Sequence, residues 1–294
     1  MKVVYGHTDS IYVQMDSVDK AKEIVQELNS HVRESFPNLL GLGEHPVTLE
    51  FEKYFSRLGV GSTKNRNAGL ISWKDGYELE EQEFTMTGFT AKRISETPLA
   101  KDVQITVLKM WLADSTLKEI NTWLNTKYNF IINSEFSIRD IIKRSRLKVE
   151  RFSVKCPSCS KNYAIQDCYS ISFCEKCGCL KQKFVTLQDK RPIFGEGVGG
   201  ILYGREKLDM EYDDSYLFMK IKATDTFTHP LTDELKQAEY FSGTTYEDFK
   251  NVQPDLQHYA NTVIKKAEPI YRAMNWSTDS IRTGRLQTSF EDWW

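Results

Sequence analysis

Six cysteines lie between positions 156 and 179, and the rest of the 294-residue chain holds none. Scattered pairs would point to disulfides, whereas one tight cluster points to a metal. "CPSC" at 156–159 and "CEKC" at 174–177 are separated by fourteen residues. That spacing, C-x2-C-x14-C-x2-C, suits two knuckle turns facing one tetrahedral Zn2+. Cys156, Cys159, Cys174 and Cys177 are the expected thiolate ligands, with Cys168 and Cys179 as spares that could substitute. Buried free thiols are the plainer alternative. The spacing marks no open coordination position, so the expected ion is structural.

A chain of 294 residues is long enough for two domains, each with its own core. It is 40% hydrophobic and 27% charged, a globular balance, and no run approaches the roughly 18 apolar residues of a membrane helix. The first residues read as a strand rather than a basic and then apolar leader, so an intracellular, cytoplasmic chain without membrane contact is expected. The formal net charge of -2 gives no whole-chain signature of nucleic-acid binding. Local clusters of lysine and arginine can still provide one.

The opening stretch "VVYGHTDSIYV" (3–13) alternates apolar and aromatic residues on either side of Gly6-His7-Thr8-Asp9-Ser10. Period-two patterning around turn-forming residues predicts a hairpin with a carboxylate near its tip. Residues 17–36 carry Ala21, Ile24, Val25, Leu28 and Val32 at helical spacing behind Ser17, a suitable cap. Strands are expected over 47–62 and 67–73, with Asp75-Gly76 as a hairpin turn leading into "YELEEQEF". Helical periodicity takes over from Pro98 and runs to about residue 125. A basic run, "IIKRSRLKVER" (141–151), then precedes the cysteines, and helical stretches are expected around 231–250 and 255–274. The expected class is α+β: a sheet-bearing layer over 1–97, then a mostly helical part over 98–294 with a zinc ribbon inserted at about 152–185.

Four segments, taken in order, resemble family B DNA polymerases. Tyr5-Gly6-His7-Thr8-Asp9-Ser10 is similar to the third palm motif, Y-G-D-T-D-S. Thr63-Lys64-Asn65-Arg66-Asn67-Ala68-Gly69 resembles the basic K-K-R-Y motif. Gly88-Phe89 with Lys92, Arg93 and Ser95 resembles the palm–thumb border segment. Asp255, His258-Tyr259-Ala260, Pro269, Ile270 and Arg272 are similar to the last thumb helix.

The resemblance implies the C-terminal part of a polymerase, palm motif plus thumb, transferring nucleotides from dNTP to a primer on template DNA. It implies Asp9 as a Mg2+ ligand of a two-metal site, since nucleotidyl transfer uses paired divalent ions held by carboxylates. His7 stands where the family has its other motif aspartate, and imidazole is a poor magnesium ligand. Thr8, Lys64, Arg66, Lys92 and Arg93 are implied in DNA contact, alongside the run Lys143, Arg144, Arg146, Lys148 and Arg151. By itself each of these basic groups reads first as part of a solvated face. Asn67 replaces the tyrosine of the basic motif.

No segment like D-x-x-S-L-Y-P or K-x-x-x-N-S-x-Y-G occurs in these residues. The partner aspartate and the finger lysine must therefore come from elsewhere, because one carboxylate cannot hold two ions. Either this is the small subunit of a split polymerase, which the methionine directly before the motif strand favours, or it is a fragment. The last residues, "QTSFEDWW" (287–294), resemble the sliding-clamp peptide through Gln287, Phe290, Trp293 and Trp294. The alternative there is a C-terminus packed on its own core. A second overall reading is a non-catalytic DNA-binding and clamp-tethering subunit that retains the palm motif as a relic.

Overall fold

A computed structural model describes residues 2–6, 9–61, 65–146, 153–186, 196–208 and 215–285. It is a mixed α and β structure whose strand pairings are all antiparallel. The chain forms two compact units. The first comprises Met1–Phe89, Thr106–Ile120 and Pro269–Ser277, and the second comprises Thr90–Ile105, Asn121–Glu268 and Thr278–Trp294. No helix among the described residues is long and apolar enough to cross a membrane.

The first unit opens with strands β1 (Lys2–Gly6) and β2 (Ile11–Gln14), which pair with each other as the alternation predicts. Helix α1 (Val18–Ser35) follows, capped by the Ser17 hydroxyl accepting from the Lys20 N–H at 3.2 Å. A cap of this kind stabilises a helix by about 1 kcal/mol. A three-stranded sheet then forms from β3 (Lys53–Val60), β4 (Asn67–Lys74) and β5 (Tyr77–Thr87), with β4 in the centre. The central strand buries Ala68, Ile71 and Trp73. Asp75 and Gly76 both take positive φ (51° and 96°), the backbone that a two-residue hairpin turn demands. Trp73 stacks on Phe51 at 4.4 Å, and the Lys22 ammonium of α1 lies 5.2 Å from the Trp73 ring.

In three places the structure departs from the sequence expectation. The strand expected from 47 begins only at Lys53. The side-chain amide of Asn29 takes both the N–H and the C=O of Leu49 (2.7 and 2.9 Å), removing them from any ladder. The long helical pattern from Pro98 divides into α2 (Pro98–Leu112) and α3 (Leu117–Ile132). Asp114 turns left-handed (φ 58°) between them, and Thr116 and Glu119 cap the second helix reciprocally. The stretch 231–250, expected to be helical, is instead β12 (Leu235–Gln237), β13 (Tyr240–Gly243) and a 3-10 turn at Tyr246–Phe249. Asp233 with φ 58° breaks the pattern, and pairing of Tyr240–Gly243 with a neighbouring strand overrides it.

The rest of the second unit holds α4 (Ile138–Ile141), β6 (Lys143–Arg146), β7 (Ser153–Lys155), β8 (Asn162–Ala164) and β9 (Val185–Thr186). Helix α5 (Glu196–Leu208), β10 (Ser215–Lys220), β11 (Thr226–Thr228), α6 (Leu256–Ala273) and α7 (Asp279–Thr283) complete the elements. Strand β10 is central between β13 and β6, while β7 is central between β8 and β9. Asn121 and Asn125 of α3 fasten α7 by hydrogen bonds to the carbonyls of Ser280 and Ile281, at 3.0 and 2.8 Å.

Two glycines of "GVGGILYG", Gly200 and Gly204, have a packing reason. A Cβ at Gly204 would fall 2.0 Å from the Ser242 carbonyl oxygen, so only a bare helix face can approach β13 this closely. A mid-helix Gly→Ala change ordinarily gains about 0.5–1 kcal/mol. Gly204→Ala is expected to lose about 1–3 kcal/mol instead, the usual cost of overpacking, as measured by urea denaturation.

Candidate functional site

The two cysteine knuckles close on each other. The sulfurs of Cys156, Cys159, Cys174 and Cys177 all lie within 4.8 Å of one another, and Cys156–Cys177 and Cys159–Cys174 approach to 3.4 and 3.5 Å. Four thiolates around an ion at about 2.3 Å stand about 3.8 Å apart, so the donor set fits a tetrahedral metal. Burial works against the Cys174 thiolate, but hydrogen bonds from Tyr163 and from the N–H groups of Lys176 and Cys177 bring that thiol down to about 6. The Cys179 N–H favours the Cys177 thiolate. Burial and the three neighbouring sulfurs outweigh it and push that thiol up to about 12. Four adjacent thiols cannot all ionise without a cation among them, and a bound metal would supply it. The two spare cysteines stay outside the quartet: burial drives Cys168 up to about 11, and Cys179 turns its sulfur toward the Leu180 carbonyl.

The ribbon is anchored within its unit. Lys181, with a side chain only 4% exposed, donates to the Cys168 carbonyl at 3.0 Å and to the Asp233 carboxylate at 2.6 Å. The Tyr169 hydroxyl reaches the Thr228 carbonyl at 2.9 Å, and Arg205 reaches Gln166 at 2.5 Å.

In the other unit, Asp9 lies exposed on the bend between β1 and β2. Its neighbours His7 and Thr8 lie outside the described residues, as does Lys64. Two ring contacts seat the hairpin: Tyr5 meets Tyr12 at 5.3 Å, and Tyr12 meets Phe55 of β3 at 5.9 Å. The Tyr54 hydroxyl adds a bond to the Met15 carbonyl at 3.0 Å.

Three of the segments singled out by sequence converge on one residue. The Tyr5 hydroxyl donates to the side-chain oxygen of Asn65 at 3.1 Å. Asn65 has φ 62°, and its carbonyl oxygen lies where a Cβ on Gly88 would be, 1.9 Å away. Gly88 itself has φ 75°, and that same virtual Cβ is 3.1 Å from the Arg66 side chain. No other residue type fits at 88. Asn67, at the start of β4, is buried and paired with Val60 and Thr87.

Lys92 and Arg93 are both exposed on and just after a 3-10 turn, Thr90–Lys92. That turn is braced from behind. Gln104 accepts from the Ala91 N–H at 2.8 Å, and Lys266 of α6 donates to the Thr90 hydroxyl at 2.7 Å and also pairs with Glu96. Burial would raise the Glu96 carboxyl, but the hydrogen bond and charge of Lys266, with Lys143 beyond, hold it below the ordinary carboxylate range. In the fourth segment, Asp255 accepts from the His258 N–H at 2.9 Å and so caps α6, and the buried Tyr259 hydroxyl accepts from the Lys220 N–H at 2.8 Å. Of the basic run, Lys143 and Arg144 lie on β6 with Arg144 exposed, while Lys148 and Arg151 lie outside the described residues. Gln287, Phe290, Trp293 and Trp294 lie outside them too.

The family model for DNA polymerase family B matches residues 1–194. The chain belongs to DNA polymerase family B. Its fold is similar to that of the family B DNA polymerase from the hyperthermophilic archaeon Pyrobaculum calidifontis, with a TM-score of 0.51 and 16% sequence identity. That similarity covers 92% of this chain and 26% of the archaeal one, so the chain spans about a quarter of the polymerase it matches. No curated protein matches the chain.

For a family that uses divalent metals, the hairpin offers a donor of the right kind but in insufficient number. Among the described residues the cysteine quartet is the one group of three or more potential metal ligands brought together, and Asp9 is not part of it. A hard-oxygen site for two ions is therefore not built by these residues alone.

Sequence reasoning missed Tyr163. Its hydroxyl donates to the Cys174 sulfur at 3.2 Å while accepting from the Glu175 N–H at 3.1 Å. Its ring stacks on Phe184 at 5.1 Å, and the Lys161 ammonium, paired with Glu175, sits 4.9 Å from the ring. The available signal was an aromatic residue on the strand returning from the first knuckle. Tyr163→Phe keeps the ring stack and deletes the donor. It is expected to weaken Zn2+ affinity about tenfold in competition with a chromophoric chelator, the usual effect of losing an outer hydrogen bond. Unchanged affinity would mean that the bond is incidental.

Proposed function

We propose that this chain is the C-terminal part of a DNA-directed DNA polymerase, palm motif strands over 1–97 followed by thumb over 98–294. In this reading it works in DNA replication only with a companion polypeptide that supplies the remaining palm and the fingers. The convergence of Tyr5, Asn65 and Gly88 carries the reading. Three segments that are polymerase-like in sequence meet around one strained backbone residue, which a fortuitous set of short matches gives no reason to expect. Family membership over residues 1–194 supports it independently.

Asp9 is this chain's contribution to the catalytic site. Asp9 would supply one carboxylate ligand to paired Mg2+ ions, and the chemistry such ions would supply is charge stabilisation of nucleotidyl transfer. The carboxylate at the exposed bend offers hard oxygens toward such a site, and the companion must provide the rest. Arg66, Lys92 and Arg93, with Lys64 and Thr8, hold primer–template phosphates in a sequence-independent and salt-sensitive way. Lys92 and Arg93 suit that role because their turn is held by Gln104 and Lys266 while their own side chains face solvent. The quartet Cys156, Cys159, Cys174 and Cys177 holds a structural zinc, soft thiolates in a closed four-coordinate set. The tail residues Gln287, Phe290, Trp293 and Trp294 contact a sliding clamp.

One observation favours a second reading, a non-catalytic DNA-binding and clamp-tethering subunit: His7 replaces a carboxylate of the motif. Primer extension by the chain mixed with its companion separates the two readings. If the site is catalytic, Asp9→Asn lowers extension at least about a thousandfold, the scale of removing one electrostatic stabiliser of a reacting centre. Extension unaltered by Asp9→Asn refutes the catalytic role. Extension that appears only in a His7→Asp variant assigns the natural chain to the tethering reading.

A further inference from the structure

We propose that residues 36–49, together with the outer face of the β1–β2 hairpin, form the surface on which the companion polypeptide docks. This inference rests on the reading above that the remainder of the polymerase fold is carried by another polypeptide.

Of the seventeen large apolar side chains left exposed among the described residues, nine fall within residues 3–49. Val3, Val4 and Ile11 lie on the hairpin, and Phe36, Leu39, Leu40, Leu42, Val47 and Leu49 follow α1. Leu39 and Leu40 are 89% and 82% exposed. Leaving such residues in water forgoes about 1.5–3 kcal/mol each relative to burial, and their concentration in this one stretch of the chain points to a contact surface.

The loop is nevertheless well built. The Asn38 side chain bonds both the C=O and the N–H of Leu42, at 2.6 and 3.1 Å. The His45 ring lies between the carbonyls of Phe36 and Val47, a ring nitrogen 2.6 Å from each, and its one N–H donates to one of them. Asn29 of α1 fastens Leu49 at the far end. Polar side chains thus turn inward to satisfy the loop's own backbone, and the leucines are presented outward on a preformed support. Pre-organisation of this type lowers the ordering cost of association.

The chemistry identifies the kind of partner. Residues 36–49 contain no lysine or arginine and a single carboxylate, Glu44, so they offer nothing to a nucleic-acid backbone and an apolar face to a protein. The matched polymerase is about four times the length that this chain covers, and in the proposed reading the protein to be met is the remainder of that fold. Among the described residues β1 and β2 pair only with each other. A two-stranded ribbon is marginal alone and has outer edges to which a further strand can add.

The test uses the whole chain and, as companion, a purified family B polymerase polypeptide from the same genome that lacks a segment of this kind. The double variant Leu39→Glu/Leu40→Glu changes two exposed side chains, and unaltered zinc content and thermal unfolding verify that it folds. The chain alone is expected to sediment as a monomer and to bind the companion one to one. The double variant is expected to raise the Kd at least tenfold and to recover normal primer extension at saturating concentration. Equal affinity for the two forms, or no binding of the companion at all, overturns the docking surface. So does a homodimer of the chain that the double variant dissolves, since the occupant is then a second copy. A complex that is sensitive to the variant yet extends no primer supports the docking surface while removing the polymerase reading.

Discussion

The contact between Tyr5 and Asn65 is the interaction on which the placement of the β1–β2 hairpin depends. A carboxylate on a two-stranded hairpin is only as well placed as whatever holds the hairpin, and among the described residues β1 and β2 pair in a ladder with no other strand. The Tyr5 hydroxyl ties the strand before Asp9 to a backbone that is itself pinned, because Asn65 sits left-handed against the bare Cα of Gly88. The Tyr12–Phe55 contact and the Tyr54–Met15 bond add two further points of attachment. An apparently permissive glycine thus acts through a side chain on another strand to orient a turn.

The second unit solves a different problem. A ribbon with strands of three, three and two residues has little core of its own, chiefly Val154, Tyr163, Ile165, Cys168 and Phe184. Small folds of this kind need a covalent or metal staple. The thiolate quartet supplies the donor set, Tyr163 braces it from one side, and the buried Lys181 links it to the turn at Asp233. The cysteine quartet is therefore a structural junction of its unit. Nothing in its closed set of sulfurs leaves a position for a reacting group.

Much of this was legible in the sequence because it rests on local rules. The hairpin at 3–13, the Asp75-Gly76 turn and the paired C-x-x-C knuckles are each encoded by residues close in the chain, and each is present in the structure. Helical periodicity misled where tertiary pairing decided the outcome: Tyr240–Gly243 carries apolar residues that fit a helix but pairs with β10. The break at Asp114 was legible as a capping pair, Thr116 and Glu119, obscured by the apolar pattern continuing across it. The long-range partners had no sequence signal at all. Neither Lys266 reaching Thr90 and Glu96 nor the meeting of Tyr5 with Asn65 follows from spacing, since each joins positions at least sixty residues apart.

The proposed catalytic role of Asp9 comes down to whether one pair of carboxylate oxygens reaches a metal ion in the assembled polymerase. A structure of the assembled complex, with primer–template, incoming nucleotide and Mn2+, reads that distance directly. An oxygen of Asp9 within about 2.2 Å of an ion, in a site completed by carboxylates from the companion, is the result expected for a hard octahedral cation. An occupied site from which Asp9 points away, its carboxylate held by a protein partner, would contradict the account.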